Sequence, residues 1–285
     1  MIPELSFSQG IDWQGHRGAR GLMPENSIPA FRKAMELGVT TLEMDVVITR
    51  DKQVIVSHDP WISGEFCLDS SGNNIPAEDE RKYNIYRLTY DEILKFDCGS
   101  KGNTSFPRQE KIAVCKPLLT DVFRMAEKYC KDYNRNEIYY NIEIKSEPQW
   151  DDLFHPVVGE FCDLVYQVIN DYIPLRRVII QSFDPRALNY LHNKHPGLNL
   201  AYLVEHEADP AAAMKLLDFS PSVYSPNFEL LSPEKIKWLH SKGMRVIPWT
   251  VNQPEAIKNL IIMGVNGIIT DYPDLITAWP GREEN

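Results

Sequence analysis

The chain is short of most features that would settle its class quickly, and each shortage excludes something. Its five cysteines, Cys67, Cys98, Cys115, Cys130 and Cys162, are odd in number and include no C-x-x-C pair. That argues against a disulfide framework or a zinc knuckle and predicts isolated, reduced thiols. No apolar run approaches the roughly 20 residues of a membrane helix, and the opening MIPELSFSQG has no basic stretch followed by an apolar one. Basic residues are outnumbered, 30 Lys and Arg against 40 Asp and Glu, for a formal net charge of -10. A general nucleic-acid partner is therefore not expected, because it needs a basic footprint. No G-x-G-x-x-G follows the first β-rich run, and no repeat, low-complexity tract or dividing linker is present.

What the chain does have is alternation. With 285 residues, 43% of them hydrophobic, it suits two modest domains or one large α/β barrel. Strand-like runs fall at 13–17, 40–47, 138–145, 177–183, 198–204, 222–227, 244–250 and 266–271, separated by amphipathic segments. Eight such runs are the number that closes a TIM (β/α)8 barrel, and the missing dinucleotide fingerprint disfavours a doubly wound open sheet. Helix starts agree: Asp184-Pro185, Asp209-Pro210 and Ser232-Pro233 each place a side-chain acceptor before a proline. Gly38 and Gly243 sit where left-handed helix stops are expected. The expectation is a single barrel domain over 1–285 with a long insertion after the second strand, at about 59–116. That insertion should carry a small helix capped by Thr89 and Glu92 and cover one end of the barrel.

Polar residues near strand ends are the functional candidates, because parallel barrels work at that end. His16 and Arg17 end the first strand. Glu43 and Asp45, two apart in the apolar run LEMDVV, point to one side of the second. Asn141, Glu143 and Lys145 share a face of the third. VVIT and QVIVSH flank RDK as an antiparallel hairpin, and if residues 49 and 52 face each other, His58 returns to the level of Glu43 and Asp45. Carboxylates converging at a barrel mouth repel unless a cation sits between them. Oxygen-only ligands predict one hard divalent ion, Mg2+ or Ca2+. Gln181, Phe183 and Trp249 are candidates for a substrate-binding rim.

In order and spacing, GHRGARGLMPENSIPAF, LEMDVVITRDKQVIVSHDP, NIEIK, QSF, PWTVN and GIITDYPD closely resemble the glycerophosphodiester phosphodiesterases, from about Gly15 to about Asp274. The resemblance implies a TIM barrel that uses an acid-bound divalent metal to hydrolyse glycerophosphodiesters to glycerol 3-phosphate and an alcohol. By position it places the metal carboxylates on Glu43, Asp45 and Glu143, the catalytic histidines on His16 and His58, and phosphate contacts on Arg17 and Lys145. The nucleophile is either water or the glycerol's own 2-hydroxyl. After the histidine–aspartate pair, PWISGEFCLDSSGNN departs from the short arginine- and threonine-containing segment of many bacterial members, which leaves the alcohol side open.

Two other readings share these residues. One is a lysophospholipase D or phosphoinositide-type lipase acting on lipids, for which no exposed apolar or basic stretch is evident. The other is an inactive phosphodiester-binding barrel, against which stands the completeness of the acid and histidine set. Cysteine usage leans toward the cytoplasm, with the periplasm or secretion open if a leader was removed. Head-group preference and oligomeric state are not legible.

Overall fold

The computed structural model describes residues 10–278; the segment MIPELSFSQ, read above for a leader, lies outside the described residues. Along the chain, β1 (Asp12–Gly15) leads to α1 (Ile28–Glu36), and β2 (Thr41–Ile48) turns back as β3 (Val54–Val56). The insertion follows with α2 (Tyr90–Ile93). Then come α3 (Leu119–Asp132), β4 (Tyr139–Ile144), α4 (Val158–Tyr172), β5 (Val178–Ser182), α5 (Pro185–Lys194) and β6 (Asn199–Val204). The last part holds α6 (Pro210–Ala213), β7 (Val223–Pro226), α7 (Pro233–Ser241), β8 (Arg245–Val246), α8 (Pro254–Met263) and β9 (Gly267–Thr270). Eight of these strands are parallel neighbours in the order β8-β7-β6-β5-β4-β2-β1-β9. Backbone bonds from Asn266 N to Val246 O, Ile269 N to Pro248 O and Val251 N to Ile269 O join the two ends into a nearly closed barrel.

The expected starts and stops are present. Asp184, Asp209 and Ser232 cap α5, α6 and α7 through their side chains. Gly38 and Gly243 take φ of +84° and +78°, a region open to glycine without a Cβ clash. Thr89 and Glu92 form both halves of a capping box on α2.

Strand parity divides the burial. Leu42, Met44, Val46, Ile142, Ile180 and Leu200 point outward into the main core beneath the helices. Barrel interiors are usually filled by branched apolar side chains, but here only one half is: Ile179, Ala201, Val223, Ile247 and Ile269 form that cluster. The half under β1, β2 and β4 is buried and polar, with Asp12, Gln14, Glu43, Asp45, Asn141 and Glu143.

Four expectations need correction. The first strand stops at Gly15, because Arg17 and Gly18 take positive φ, which no strand tolerates. The hairpin register is one residue off: Val46 pairs Val56 and Thr49 bonds Gln53, since the reversal uses three residues with Lys52 left-handed at φ +59°. Cys67 and Cys98 are joined by a disulfide. Their pairing follows from a bridge between the adjacent residues Leu68 and Asp97, which a linear spacing rule does not reveal. With two thiols paired, cysteine usage no longer points to the cytoplasm.

The fourth concerns the insertion, which packs its own small core, including Ile62, Phe66, Ile85, Ile93 and Phe96, on Val47 and Ile55 of the β2–β3 hairpin. It buttresses the mouth, with Trp61 edge-on to Trp150 and Phe154 and Gln109 bonded to Arg20 O. It does not close over it: residues 59–116 contribute nothing to the cavity wall. Among the described residues, no helix is long and apolar enough to cross a membrane.

Candidate active site

The carboxylates of Glu43, Asp45 and Glu143 each offer an oxygen within 4.8 Å of the others, and all three are buried. Parity explains the first two, and the pairing of Asp45 with Glu143 across β2 and β4 supplies the third. Burial is the main force on all of them, and it disfavours the ionised form. Glu43 is pushed well above the usual carboxylate range by burial and by Asp45. Glu143 rises to about 7 through burial, with Lys145 pulling down and Asp45 pushing up. Asp45 goes the other way, because Arg17, His58 and Lys145 outweigh its burial.

Fixed donors hold these acids. Arg17 donates its backbone N–H to Glu43 Oε2 at 2.8 Å. It can do so because its left-handed φ of +49° turns the amide toward β2. Gly18 completes the turn, where a Cβ would lie 2.6 Å from the Ala30 carbonyl carbon. Asn26 donates to Asp45 at 2.9 Å, Lys145 Nζ stands 2.8 Å from Glu143, and Gln181 Nε2 donates to Glu43 Oε1 at 2.8 Å.

Each histidine has its own carboxylate. His16 Nδ1 is 2.7 Å from Asp271, and His58 Nδ1 is 2.9 Å from Asp59. A carboxylate only accepts, so Nδ1 carries the proton and Nε2 is left for chemistry; His16 Nε2 is 4.0 Å from Glu43. Burial, then Arg20, lowers His16 to about 4 against the pull of Asp271. Burial with Arg17 and Lys145 lowers His58. Despite the shifted register His58 reaches the site: β3 ends at Val56, Ser57 N bonds Asp45 O, and the chain leaves the ladder there.

His16, His58, Glu43, Glu143, Arg17 and Lys145 line one cavity of about 590 Å3, while Asp45, Asn26, Asp59 and Asp271 stand outside its lining. Its wall includes the cations Arg17, Arg20 and Lys145, the apolar Trp150, Phe183, Leu203 and Trp249, and the acids Glu147 and Glu205; Lys145 Nζ stands 5.7 Å from the Phe183 ring centre. Phe183 and Trp249 meet edge to face at 5.4 Å. Gln181 is 1% exposed and lines the same cavity, with its amide turned onto Glu43.

The model of the glycerophosphoryl diester phosphodiesterase family matches residues 16–275. The chain belongs to that family. It is 31% identical to a glycerophosphodiester phosphodiesterase of Caldanaerobacter subterraneus subsp. tengcongensis, over 92% of this chain and 94% of that one. It is 23% identical to a lysophospholipase D of Mus musculus, over 94% and 82%. A crystal structure from Silicibacter pomeroyi, described as a putative glycerophosphoryl diester phosphodiesterase, superposes with TM-score 0.82 and 28% identity, covering 96% of this chain and 95% of that one. An Oleispira antarctica phosphodiesterase in complex with its product sn-glycerol-3-phosphate shares the fold at TM-score 0.73 and 18% identity, covering 94% and 95%.

For this enzyme of the glycerophosphodiester phosphodiesterase family, the three acids fit a hard divalent cation. All the donors are carboxylate oxygens, and two of the three are poised to take up a proton when nothing positive lies between them. Cation and proton then compete, so affinity for Mg2+ or Ca2+ should rise with pH as Glu143 deprotonates through about 7. Calorimetry at about pH 6 and about pH 8 checks the sign; equal affinity at both would contradict it.

Several supporting residues were not singled out from sequence. Asp271 receives His16, Arg20 at 2.7 Å and Asn252 at 2.7 Å. Glu25 receives Arg17 at 2.9 Å, and Asn26 holds Asp45. Asp271 had a readable signal, a polar residue closing the last strand run, and PENS carried the other two inside the matching block. Of the remaining histidines, His155 is a buried structural residue that accepts from Glu147 N at 3.0 Å.

Proposed function

We propose that this chain hydrolyses glycerophosphodiesters to glycerol 3-phosphate and an alcohol, with the barrel and its insertion acting as one catalytic domain. The observation that carries the reading is the convergence of three buried acids, two carboxylate-held imidazoles and the cations Arg17 and Lys145 on a single cavity.

Glu43, Asp45 and Glu143 would hold Mg2+ or Ca2+, which supplies Lewis-acid polarisation of a phosphoryl oxygen when bound. Arg17 and Lys145 contribute positive charge where the phosphoryl oxygens gain negative charge. Both cations stay charged, since their carboxylate partners outweigh burial and raise them. His16 and His58 present Nε2 to the substrate and divide the two proton transfers, one from the nucleophile and one to the leaving alkoxide. Phe183 and Trp249 form an apolar wall at the rim, suited to orienting the alcohol side.

Asp271 should matter through His16. Asp271→Asn keeps the shape but lets the ring adopt the wrong tautomer, so kcat should fall by up to roughly 10,000-fold, the scale of loss when an imidazole's tautomer is no longer fixed. Steady-state kinetics on the folded variant checks this, and an unchanged kcat would remove Asp271 from the mechanism.

The decisive assay offers glycerophosphocholine, glycerophosphoethanolamine, glycerophosphoglycerol and a lysophospholipid, each with Mg2+, Ca2+ or EDTA, and reads glycerol 3-phosphate from the first three and its acylated form, lysophosphatidic acid, from the last. Release from the water-soluble diesters, abolished by EDTA, supports the reading. Turnover of the lysophospholipid alone would favour the lipid enzymes, and full activity in EDTA would exclude the metal role.

A further inference from the structure

We infer that Gln181 is a positioning residue for Glu43, held in that role by a directional chain of buried amides crossing the barrel. The inference rests on the reading of Glu43 as a metal ligand.

The chain is continuous. Gln14 Nε2 donates to Asp12 Oδ2 at 2.8 Å, and Asn141 Nδ2 donates to Gln14 Oε1 at 2.8 Å and to Gln181 Oε1 at 3.0 Å. Gln181 Nε2 then donates to Glu43 Oε1 at 2.8 Å. At the far end, Asp12 Oδ1 is fixed by the hydroxyls of Thr40 at 2.8 Å and Thr41 at 2.7 Å.

Its direction is forced by chemistry. With a cation bound, Glu43 is ionised and only accepts, as Asp12 does toward its hydroxyl and amide donors, so each glutamine turns its nitrogen to its own carboxylate and its oxygen inward. Asn141 sits between the two oxygens with two N–H groups, one for each. If the Gln181 amide flipped, an oxygen would face Glu43 and an N–H would face Asn141, losing two bonds at once. Gln181 is thereby locked with a donor on Glu43 Oε1, while Arg17 N–H holds Oε2. Both oxygens of one ligand are pinned, each by its own donor.

Stability alone does not account for this column. Replacing buried paired polar groups by apolar ones of similar shape is often neutral or stabilising, and the other half of the same interior is apolar. Partners behind metal ligands orient them, and their loss typically weakens metal affinity about 10- to 100-fold.

The test measures Mg2+ and Ca2+ affinity by calorimetry, metal-free thermal midpoint, and kcat and KM against cation concentration. Gln181→Met keeps the length and removes the donor. It should weaken cation affinity roughly 10- to 100-fold, lower the metal-free midpoint because Asn141 and Glu43 each lose a buried partner, and recover kcat at high cation with substrate KM unchanged. Asn141→Leu frees the Gln181 amide to rotate and should shift affinity in the same direction; it decides the matter if Gln181→Met does not fold. Wild-type cation affinity in a folded variant overturns the inference, as does a raised substrate KM at saturating cation, which would make Gln181 a substrate contact. A wild-type chain that binds neither cation overturns the metal reading as well, and is told apart by its own flat titration.

Discussion

Alanine at His16 is expected to lower kcat by roughly 100- to 10,000-fold, the range for losing a general acid or base, with the thermal midpoint close to that of the parent chain. The imidazole is held at one nitrogen by Asp271 and turns the other toward Glu43 and the cavity. Its loss leaves the acids and Arg17 in place. His58→Ala should cost a similar factor, because His58 has the same arrangement with Asp59. Burial and neighbouring cations lower both imidazoles, so both start neutral near pH 7 without substrate or metal. Kinetics with melting curves on both variants checks this; near-normal rates in two folded variants would remove the histidines from the chemistry.

Glu143→Gln should have two large effects of opposite sign. Cation affinity should fall by more than about 100-fold, since even the groups behind a ligand are worth up to that much. The metal-free protein should gain stability, because one of three crowded carboxylates is gone while an amide oxygen still accepts from Lys145. Glu143 has a folded value of about 7, raised above its ordinary value of 4.5. A carboxyl raised on folding contributes stability that is present at low pH and lost as pH climbs through the folded value. The advantage of Glu143→Gln over the parent should therefore grow from about pH 5 to about pH 8. Metal-free melts across that window, with titrations of both proteins, decide it; a stability gain that shrinks with pH would contradict the crowding argument.

Much of the site could be read because β-structure writes its geometry locally. Glu43 and Asp45 share a face by the period of two, and Glu143 falls beside Asp45 once β2 and β4 pair. Gln181 shows the limit of such reading. Its place near the end of a strand suggested a substrate rim; it does line the cavity, and its amide is also turned onto Glu43, a contact that sequence spacing did not show. Whether a strand-end residue meets substrate or supports a ligand depends on barrel tilt and stagger, which no single strand contains. Asp59 stood next to His58 in the sequence and could have been suspected; the bond between Asp271 and His16 spans 255 positions.

Alone, the amino-acid order determined the strand positions, the helix caps, the inward acids and the blocks that mark the family, all carried by backbone periodicity or contiguous residues. Tertiary structure decided the rest: the Cys67–Cys98 bridge, the seat of the insertion beside the mouth, the arrival of His58 and the clamping of His16 by Asp271. These depend on barrel closure, which sets the first and last strands side by side, and on turns whose length fixes register. Contacts between distant segments follow from how the sheet curves and closes, and that is a property of all the strands together.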